Sequence, residues 1–224
     1  MIDVRRAAQR YPGGEPTAGI ESAHAFSFGG HYDPDNLRFG ALVACNEERL
    51  APGAGFAEHP HSHTEIVTWV VEGELTHEDS TGRATVVRPG DLQRLSAGDG
   101  VRHVERNAGG VPLVFVQMWL APREFGGEPS YEVVRGFADA TPYALSGADA
   151  TLHVRRVAPG EQASLTLAPR AYVHVVRGEL SVRTAEGDAV LSPGDAARLV
   201  DAGVVTLAAV SPRPAEALIW SFSH

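Results

Sequence analysis

The sequence predicts an all-β protein of two tandem barrels, and two observations lead to this prediction. The first is that short apolar or alternating runs recur along the 224 residues, separated by Gly, Pro and Asp, while no segment has convincing helical periodicity. Any helix should therefore be short. The second is an internal repeat, which indicates one fold built twice. The runs are 66–71, 84–87, 113–120, 152–157, 172–176 and 204–210.

The repeat relates the two halves of the chain. Val-Val-Glu-Gly-Glu-Leu at 70–75 matches Val-Val-Arg-Gly-Glu-Leu at 175–180, and Pro-Gly-Asp at 89–91 recurs at 193–195. Gly and Asp accept turn conformations that other residues resist, so each copy is predicted to fold as strand, turn, strand, tight turn and strand.

The repeat also suggests where the domains divide. We predict an N-terminal domain at residues 1–123 and a C-terminal domain at 124–224. The segment Pro-Arg-Glu-Phe-Gly-Gly-Glu-Pro at 122–129 is the best candidate for the linker.

Composition argues against several classes of protein. The formal net charge is −9 and there is no Lys/Arg run, which argues against direct nucleic-acid binding. No apolar stretch approaches the roughly 18 residues of a membrane span, and the N-terminus lacks a signal-peptide pattern. Cys45 is the single cysteine and lies in an apolar run, so we expect a buried side chain rather than a nucleophile. We expect a cytoplasmic protein.

Two short segments hold candidate metal ligands: His-Pro-His-Ser-His-Thr-Glu at 59–65 and His-Val-Glu at 103–105. Residues i and i+2 of a β-strand point to the same face, so the first two histidines of the first segment converge, as do both side chains of the second. Three imidazoles and one carboxylate suit a transition metal and leave open positions for other ligands. The predicted ligands are His59, His61, His103 and Glu105.

The second half of the repeat has lost these residues while keeping its turns. The turn residues therefore serve the fold, and the histidines serve something that only the first half does. At an offset of 105 residues, His59, His61 and Glu65 match Ser164, Thr166 and Arg170, and His103 and Glu105 match Ala208 and Val210.

These motifs resemble the pirin family of the cupin superfamily. The general cupin pattern of Gly, His-x-His and Glu fits residues 53–65. Three further motifs are similar to those of pirins: His-Ala-Phe-Ser-Phe-Gly at 24–29, Ala-Pro-Gly-Ala-Gly-Phe at 51–56 and His-Glu-Asp-Ser at 77–80. The resemblance covers about residues 20–120, and the second half resembles pirins only in a degenerate cupin pattern.

The resemblance implies a bicupin, two tandem jelly-roll (double-stranded β-helix) barrels with one metal in the N-terminal barrel. It implies His59, His61, His103 and Glu105 as ligands. It also implies quercetin 2,3-dioxygenation, which some members perform, whereas others act as transcription cofactors or enzyme regulators. The donor set suits one divalent transition metal. Fe(II) leads by resemblance, and Zn, Mn, Ni, Co and Cu also fit.

The sequence leaves two candidates for the carboxylate ligand, Glu105 and Glu65. Glu105 is favoured as the ligand because His-x-Glu spacing places it beside His103. Glu65 would then orient an imidazole or border the pocket, and either carboxylate is a candidate base for a substrate hydroxyl.

Four further residues are assigned roles around the site. His63 departs from the pirin pattern and shares strand parity with His59, so it is a fifth ligand, a pocket base or a surface histidine. Gln117 and Trp119 share one face of a predicted strand and would line a pocket for an aromatic ligand, or simply pack in the core. His77 follows the repeated turn and is expected to be solvated.

Two functions remain in competition. The first is a metal-dependent dioxygenase that acts on a flavonol such as quercetin, or a similar aromatic enol, with O₂ as co-substrate. The alternative is a non-enzymatic regulator whose metal or redox state is read by a partner protein. Neither nucleic acid nor a membrane is expected as a direct partner.

Overall fold

The computed structural model describes residues 1–223, which form 21 β-strands, numbered β1 to β21 in chain order. Helical structure in this range is limited to three short 3-10 turns, at Ala7–Gln9, Pro16–Ala18 and Ser146–Ala148. The all-β prediction is confirmed. Within residues 1–223 we find no helix that is long and apolar enough to cross a membrane.

The N-terminal barrel comprises Arg10–Arg38 and Leu42–Phe137. Its antiparallel strands are β2 (Tyr11–Glu15), β3 (Ile20–His24), β4 (Leu42–Leu50), β5 (Gly55–His61), β6 (Glu65–Glu72), β7 (Leu75–Asp79), β8 (Ala84–Val87), β9 (Leu92–Ser96), β10 (Val101–Arg106), β11 (Leu113–Leu120) and β12 (Ser130–Val134). They form a seven-stranded sheet in the order β12-β9-β6-β11-β4-β3-β2 and a four-stranded sheet in the order β5-β10-β7-β8.

The C-terminal barrel comprises Met1–Gln9, Phe39–Ala41 and the chain from Ala138 onward. Its strands are β1 (Ile2–Arg5), β13 (Pro142–Leu145), β14 (Ala150–Val157), β15 (Gln162–Thr166), β16 (Arg170–Arg177), β17 (Leu180–Thr184), β18 (Gly187–Leu191), β19 (Ala196–Val200), β20 (Val204–Ala209) and β21 (Ala215–Phe222). They form sheets in the orders β1-β19-β16-β21-β14-β13 and β15-β20-β17-β18.

The repeated glycines explain why the two barrels share their turns. Gly73 follows β6 with φ 76°, and Gly178 follows β16 with φ 66°, both in the left-handed region that favours glycine. A Cβ added to Gly73 would lie 2.6 Å from the Pro112 carbonyl oxygen, and one added to Gly178 would lie 2.4 Å from that of Pro214. Any larger residue at these turns would therefore collide with backbone.

The division between the barrels differs from the predicted boundary after residue 123. It falls between Phe137 and Ala138, and the first residues of the chain group with the C-terminal barrel. The reason is strand pairing: β12 adds to β9 of the N-terminal barrel, whereas β1 adds to β19 of the C-terminal barrel. The irregular segment 121–129 between β11 and β12 therefore lies within the N-terminal barrel.

Strand register corrects the residue matches predicted within the repeat. In the N-terminal barrel Glu105 pairs with His77, and in the C-terminal barrel Leu207 pairs with Val182. Because β7 and β17 differ by 105 residues, Glu105 corresponds to Leu207, an offset of 102. The predicted match with Val210 was wrong because the turns before β20 are shorter than those before β10.

The same reasoning relates each candidate ligand to an apolar residue. His59 pairs with His103, and Leu165 pairs with Val205, so the two pairs are equivalent. The C-terminal barrel thus fills the corresponding space with apolar side chains that belong to one buried cluster. The equivalents of His59, His61, His103, Glu105 and His77 are Leu165, Leu167, Val205, Leu207 and Val182.

Candidate metal centre

Three histidine side chains converge inside the N-terminal barrel. His59 and His61 lie on β5, and His103 lies opposite His59 on the neighbouring strand β10. The centroids of the three rings are 4.5 to 4.8 Å apart, and one nitrogen of each ring lies within 4.8 Å of the others. The structure therefore brings together the three predicted histidines in a geometry that can hold a metal ion.

Two of these histidines have a free nitrogen where a cation would be needed. The Nδ1 of His59 lies 2.8 Å from the Ala57 carbonyl oxygen, which can only accept, so Nδ1 carries the proton and Nε2 presents a lone pair. The Nε2 of His61 is buried without a hydrogen-bond partner among the described residues. A buried nitrogen without a partner is costly, and a metal ion would satisfy it.

The environment keeps two of the imidazoles neutral. Burial lowers the pKa of His61 to about 4, helped by the neighbouring His103 and His59. Burial likewise lowers the pKa of His103 to about 3, helped by His59 and His77. Because a metal ion binds only the neutral ring, these side chains are ready to bind at neutral pH.

Glu105 is held on the barrel interior by two glutamine amides. Gln93 donates to Oε1 at 3.3 Å and Gln117 donates to Oε2 at 2.7 Å, and the Tyr131 hydroxyl donates to Gln93 at 3.0 Å. A Glu105 oxygen lies within 4.8 Å of ring nitrogens of His103 and His77. Sequence reasoning missed Gln93 and Tyr131 because no motif marks either position.

Glu65, the competing carboxylate, points to another part of the barrel. It accepts hydrogen bonds from the Ser96 hydroxyl at 2.8 Å and from Arg94 at 3.5 Å. The Thr68 hydroxyl faces the barrel interior, where it accepts a hydrogen bond from the Gln93 amide. Glu65 lies three residues earlier on the same strand, so its side chain points to the opposite face of the sheet. This placement favours Glu105 as the carboxylate of the site.

His63 lies outside the cluster. β5 ends at His61, and His63 adopts φ 53° in the following turn, so the parity that would have aimed it at the metal does not continue. Its ring is exposed, packs 5.3 Å from the Phe125 ring and accepts a hydrogen bond from the Gly126 N–H at 3.2 Å. Of the three predicted roles, this placement fits the surface histidine.

His77 is buried, so the expectation that it is solvated was wrong. It is 0% exposed because β7 directs it inward together with Leu75. One ring nitrogen lies 3.4 Å from His103 and the other 3.1 Å from Asp79, and the ring stacks on Tyr131 at 4.4 Å.

A cavity of about 430 Å³ lies beside the histidine cluster. Gln117 and Trp119 both line it, and the Trp119 indole N–H donates to Gln117 at 3.0 Å. Its mixture of aromatic walls and a few polar groups suits a flat ligand that carries oxygen atoms. The lining residues are Glu15, Ala18, Ile20, Phe28, Asn46, Glu48, Gly55, Phe56, Ala57, His59, Glu105, Gln117 and Trp119.

Glu48 is a further carboxyl group in this cavity. Burial raises its pKa to about 8, against the effect of a hydrogen bond from the Ser22 hydroxyl and with a contribution from Glu105. Glu48 therefore holds its proton at neutral pH and offers an O–H donor. One signal could have found it: on β4 it shares a face with Leu42 and Leu50, where an acidic residue is unexpected.

This carboxyl group predicts a pH dependence of stability. Between the ordinary pKa of 4.5 and the folded pKa of about 8, Glu48 binds its proton in the folded state but not in the unfolded state. Because the lowered pKa values of His61 and His103 act in the opposite direction below pH 6.5, the free energy of unfolding of the metal-free protein should fall with rising pH between 6.5 and about 8, by up to about 1.4 kcal/mol per pH unit. Glu48→Gln should flatten this slope in urea titrations. An equal slope in the variant would contradict the prediction.

Comparison with known proteins places the chain in a family. A family model described as "Pirin" matches residues 3–120, more than half of the chain. The chain belongs to the pirin family. A second model, "Quercetinase C-terminal cupin domain", matches residues 147–220 of this pirin-family protein. The two matches agree with the two barrels, so the bicupin fold is confirmed.

Several relatives resemble this pirin-family protein over much of its length. A Mycobacterium tuberculosis protein, "Putative quercetin 2,3-dioxygenase Rv0181c", is 41% identical over 236 residues, covering 98% of this chain and 94% of the relative. "Quercetin 2,3-dioxygenase" of Escherichia coli K12 is 41% identical over 134 residues, covering 59% and 57%. The solved "bacterial pirin YhhW in complex with nickel(II)" from E. coli is 30% identical, with a TM-score of 0.87 and 99% of both chains covered.

Proposed function

We propose that this pirin-family protein is a metal-dependent dioxygenase that acts on a flavonol such as quercetin or on a similar aromatic enol. The observation that carries the proposal is the position of the three-histidine cluster next to a cavity large enough for an aromatic ligand, whose wall includes His59 and Glu105. An open cavity beside a metal favours an enzyme over a regulator whose site is covered by side chains. The names of the relatives support the same substrate class.

In this proposal His59, His61 and His103 hold one divalent transition metal, with Glu105 as the carboxylate of the site. The donor set of imidazoles and a carboxylate, without Cys, suits Fe(II), Ni(II) and their neighbours. The nickel complex of the E. coli pirin supports a metal in this fold. When bound, the metal supplies Lewis acidity and redox chemistry toward dioxygen.

The remaining steps fall to side chains of the cavity. Glu105 takes the proton of the substrate hydroxyl, because it lines the cavity and its carboxylate is held in a fixed orientation by Gln93 and Gln117. The protonated Glu48 donates a hydrogen bond to a second oxygen of the ligand. Trp119, fixed through its indole N–H, forms an apolar wall for the aromatic rings.

The test is turnover of quercetin by protein loaded anaerobically, in separate samples, with Fe(II), Ni(II), Mn(II), Co(II), Cu(II) or Zn(II). On admission of air, at least one loaded form should consume flavonol absorbance and release carbon monoxide. His61→Ala should lose this activity because it removes one of the three imidazoles. His63→Ala is the matched control, since the exposed His63 should leave turnover near wild type. No turnover above the His61→Ala level with any metal would overturn the proposal.

A further inference from the structure

A second line of polar contacts begins at His103 and runs away from the other two histidines. The Nδ1 of His103 lies 3.4 Å from the Nδ1 of His77, and the Nε2 of His77 lies 3.1 Å from Asp79 Oδ2. His103 is 1% exposed, and the side chains of His77 and Asp79 are both 0% exposed. Three titratable side chains thus form one fully buried row.

Only one arrangement of protons satisfies this row when His103 binds a cation. The Nε2 of His103 faces the cluster, 3.0 Å from the Nε2 of His59, so it must present its lone pair there. The proton of His103 then sits on Nδ1 and is donated to His77 Nδ1. His77 in turn carries its proton on Nε2 and donates it to the Asp79 carboxylate, which can only accept.

The far end of the row is held by a tight turn. Asp79 Oδ1 accepts hydrogen bonds from the Thr81 N–H at 2.9 Å, the Thr81 hydroxyl at 2.5 Å and the Arg83 N–H at 3.3 Å. Asp79 Oδ2 is thereby left directed at His77. The carboxylate is fixed by the backbone of the turn and can orient both rings that follow it.

Two independent anchors consequently aim two lone pairs at each other. The Ala57 carbonyl fixes the proton of His59 on Nδ1, and the row from Asp79 fixes the proton of His103 on Nδ1. The two Nε2 atoms then face each other across 3.0 Å without a proton between them. This arrangement is unfavourable without a metal because two lone pairs face each other. A cation between the two nitrogens removes the repulsion, so both rings are already oriented to bind one.

The C-terminal barrel shows that the fold itself does not need this row. Val182 stands at the position of His77, and Thr184 at the position of Asp79, next to the apolar equivalents of the candidate ligands. A barrel of the same design therefore closes with an apolar side chain in place of His77. His77 and Asp79 occur only in the barrel that has the three histidines.

We propose that His77 is a positioning residue that, together with Asp79, fixes the orientation and tautomer of His103 for metal binding. The proposal rests on the metal site proposed above. It gives a role to a buried histidine outside the three-histidine cluster, and it explains why His77, His103 and Glu105 lie close together without requiring a second metal ion.

The first test compares metal affinity in chelator-competition titrations with Ni(II) and Zn(II). His77→Val copies the C-terminal barrel and should weaken binding by about 10- to 100-fold, the effect typical of losing a group that orients a ligand. His77→Gln, which keeps an acceptor and a donor, should recover part of this loss. Asp79→Asn should also weaken binding, and it keeps the proposal testable if His77→Val does not fold.

The second test does not depend on turnover. In Zn(II)-loaded protein labelled with ¹⁵N, His103 should give a slowly exchanging, downfield Nδ1–H signal, and His77 should be protonated on Nε2 alone. The His103 signal should vanish in His77→Val, whereas a purely structural role would leave it in place. Wild-type affinity and an unchanged signal in His77→Val would overturn the proposal.

Three further outcomes bear on this inference and on the proposed function. Binding of a second metal equivalent that disappears in His77→Val would also overturn it, because His77 would then be a ligand. Metal binding that weakens as expected in a protein without flavonol turnover would support the positioning role while overturning the dioxygenase. A wild-type protein that binds neither Ni(II) nor Zn(II) would overturn the positioning role, and the dioxygenase would fall with it only if none of the six metals supports flavonol turnover.

Discussion

Four substitutions that copy the C-terminal barrel should abolish metal binding and stabilise the metal-free protein. The imidazoles of His61, His77 and His103 are buried and that of His59 is half-buried. The Nε2 of His61 has no hydrogen-bond partner among the described residues, while the equivalent side chains of the other barrel pack in an apolar core. Replacing buried polar groups by apolar side chains of similar volume should raise the free energy of unfolding by about 1–4 kcal/mol. The substitutions are His59→Leu, His61→Leu, His77→Val and His103→Val.

The measurement is urea unfolding of metal-free proteins together with elemental analysis after metal loading. Wild type should gain stability when metal is added, because the ion binds only the folded state, and the fourfold variant should gain none. His63→Leu serves as the control, since it changes an exposed histidine and should leave metal content unchanged. Stoichiometric metal in the fourfold variant, or a metal-free form less stable than wild type, would contradict the expectation.

Glu105→Gln should lower flavonol turnover by about 10²- to 10⁴-fold while the protein still fills with metal at saturating concentration. The change keeps the size of the side chain but removes its ability to take a proton, which is the contribution expected of a general base. The three histidines remain to hold the metal. The measurement is quercetin loss at saturating metal, with metal content determined on the same samples.

Glu65→Gln provides the matched comparison for this prediction. The Glu65 side chain lies on the face of β6 away from the histidines, where it accepts hydrogen bonds from Ser96 and Arg94. Its replacement should therefore leave turnover per folded protein within a few-fold of wild type. A large loss in Glu65→Gln together with normal turnover in Glu105→Gln would reverse the assignment of the two carboxylates.

Local sequence patterns predicted most of the fold and the centre of the site. The apolar runs at 84–87 and 113–120 coincide with β8 and β11, because a strand between turn residues is specified by its own sequence. The convergence of His59 with His61 follows from strand parity alone. The same rule, applied to β7, would have shown that His77 shares the buried face of Leu75.

The misplaced residues depend on structure that no short pattern contains. His63 was assigned by extending strand parity beyond His61, where the chain turns instead. Glu48 and Gln93 serve the site from strands without a motif, and their importance emerges only when antiparallel pairing brings β4 and β9 around the same interior. The number of residues that separates equivalent positions of the two barrels changes along the repeat, because the turns of the two halves differ in length.

The pairing of β1 with β19 of the C-terminal barrel has a consequence for folding during synthesis. Ile2–Arg5 pair with residues 196–199, so this strand has no partner until the chain has been synthesised as far as Leu199. All strands of the barrel with the histidines lie before Ala138, so they can pair much earlier. Synthesis should therefore yield the barrel with the three histidines first, while the other barrel forms only after strands far apart in the sequence have paired, which is typically slow.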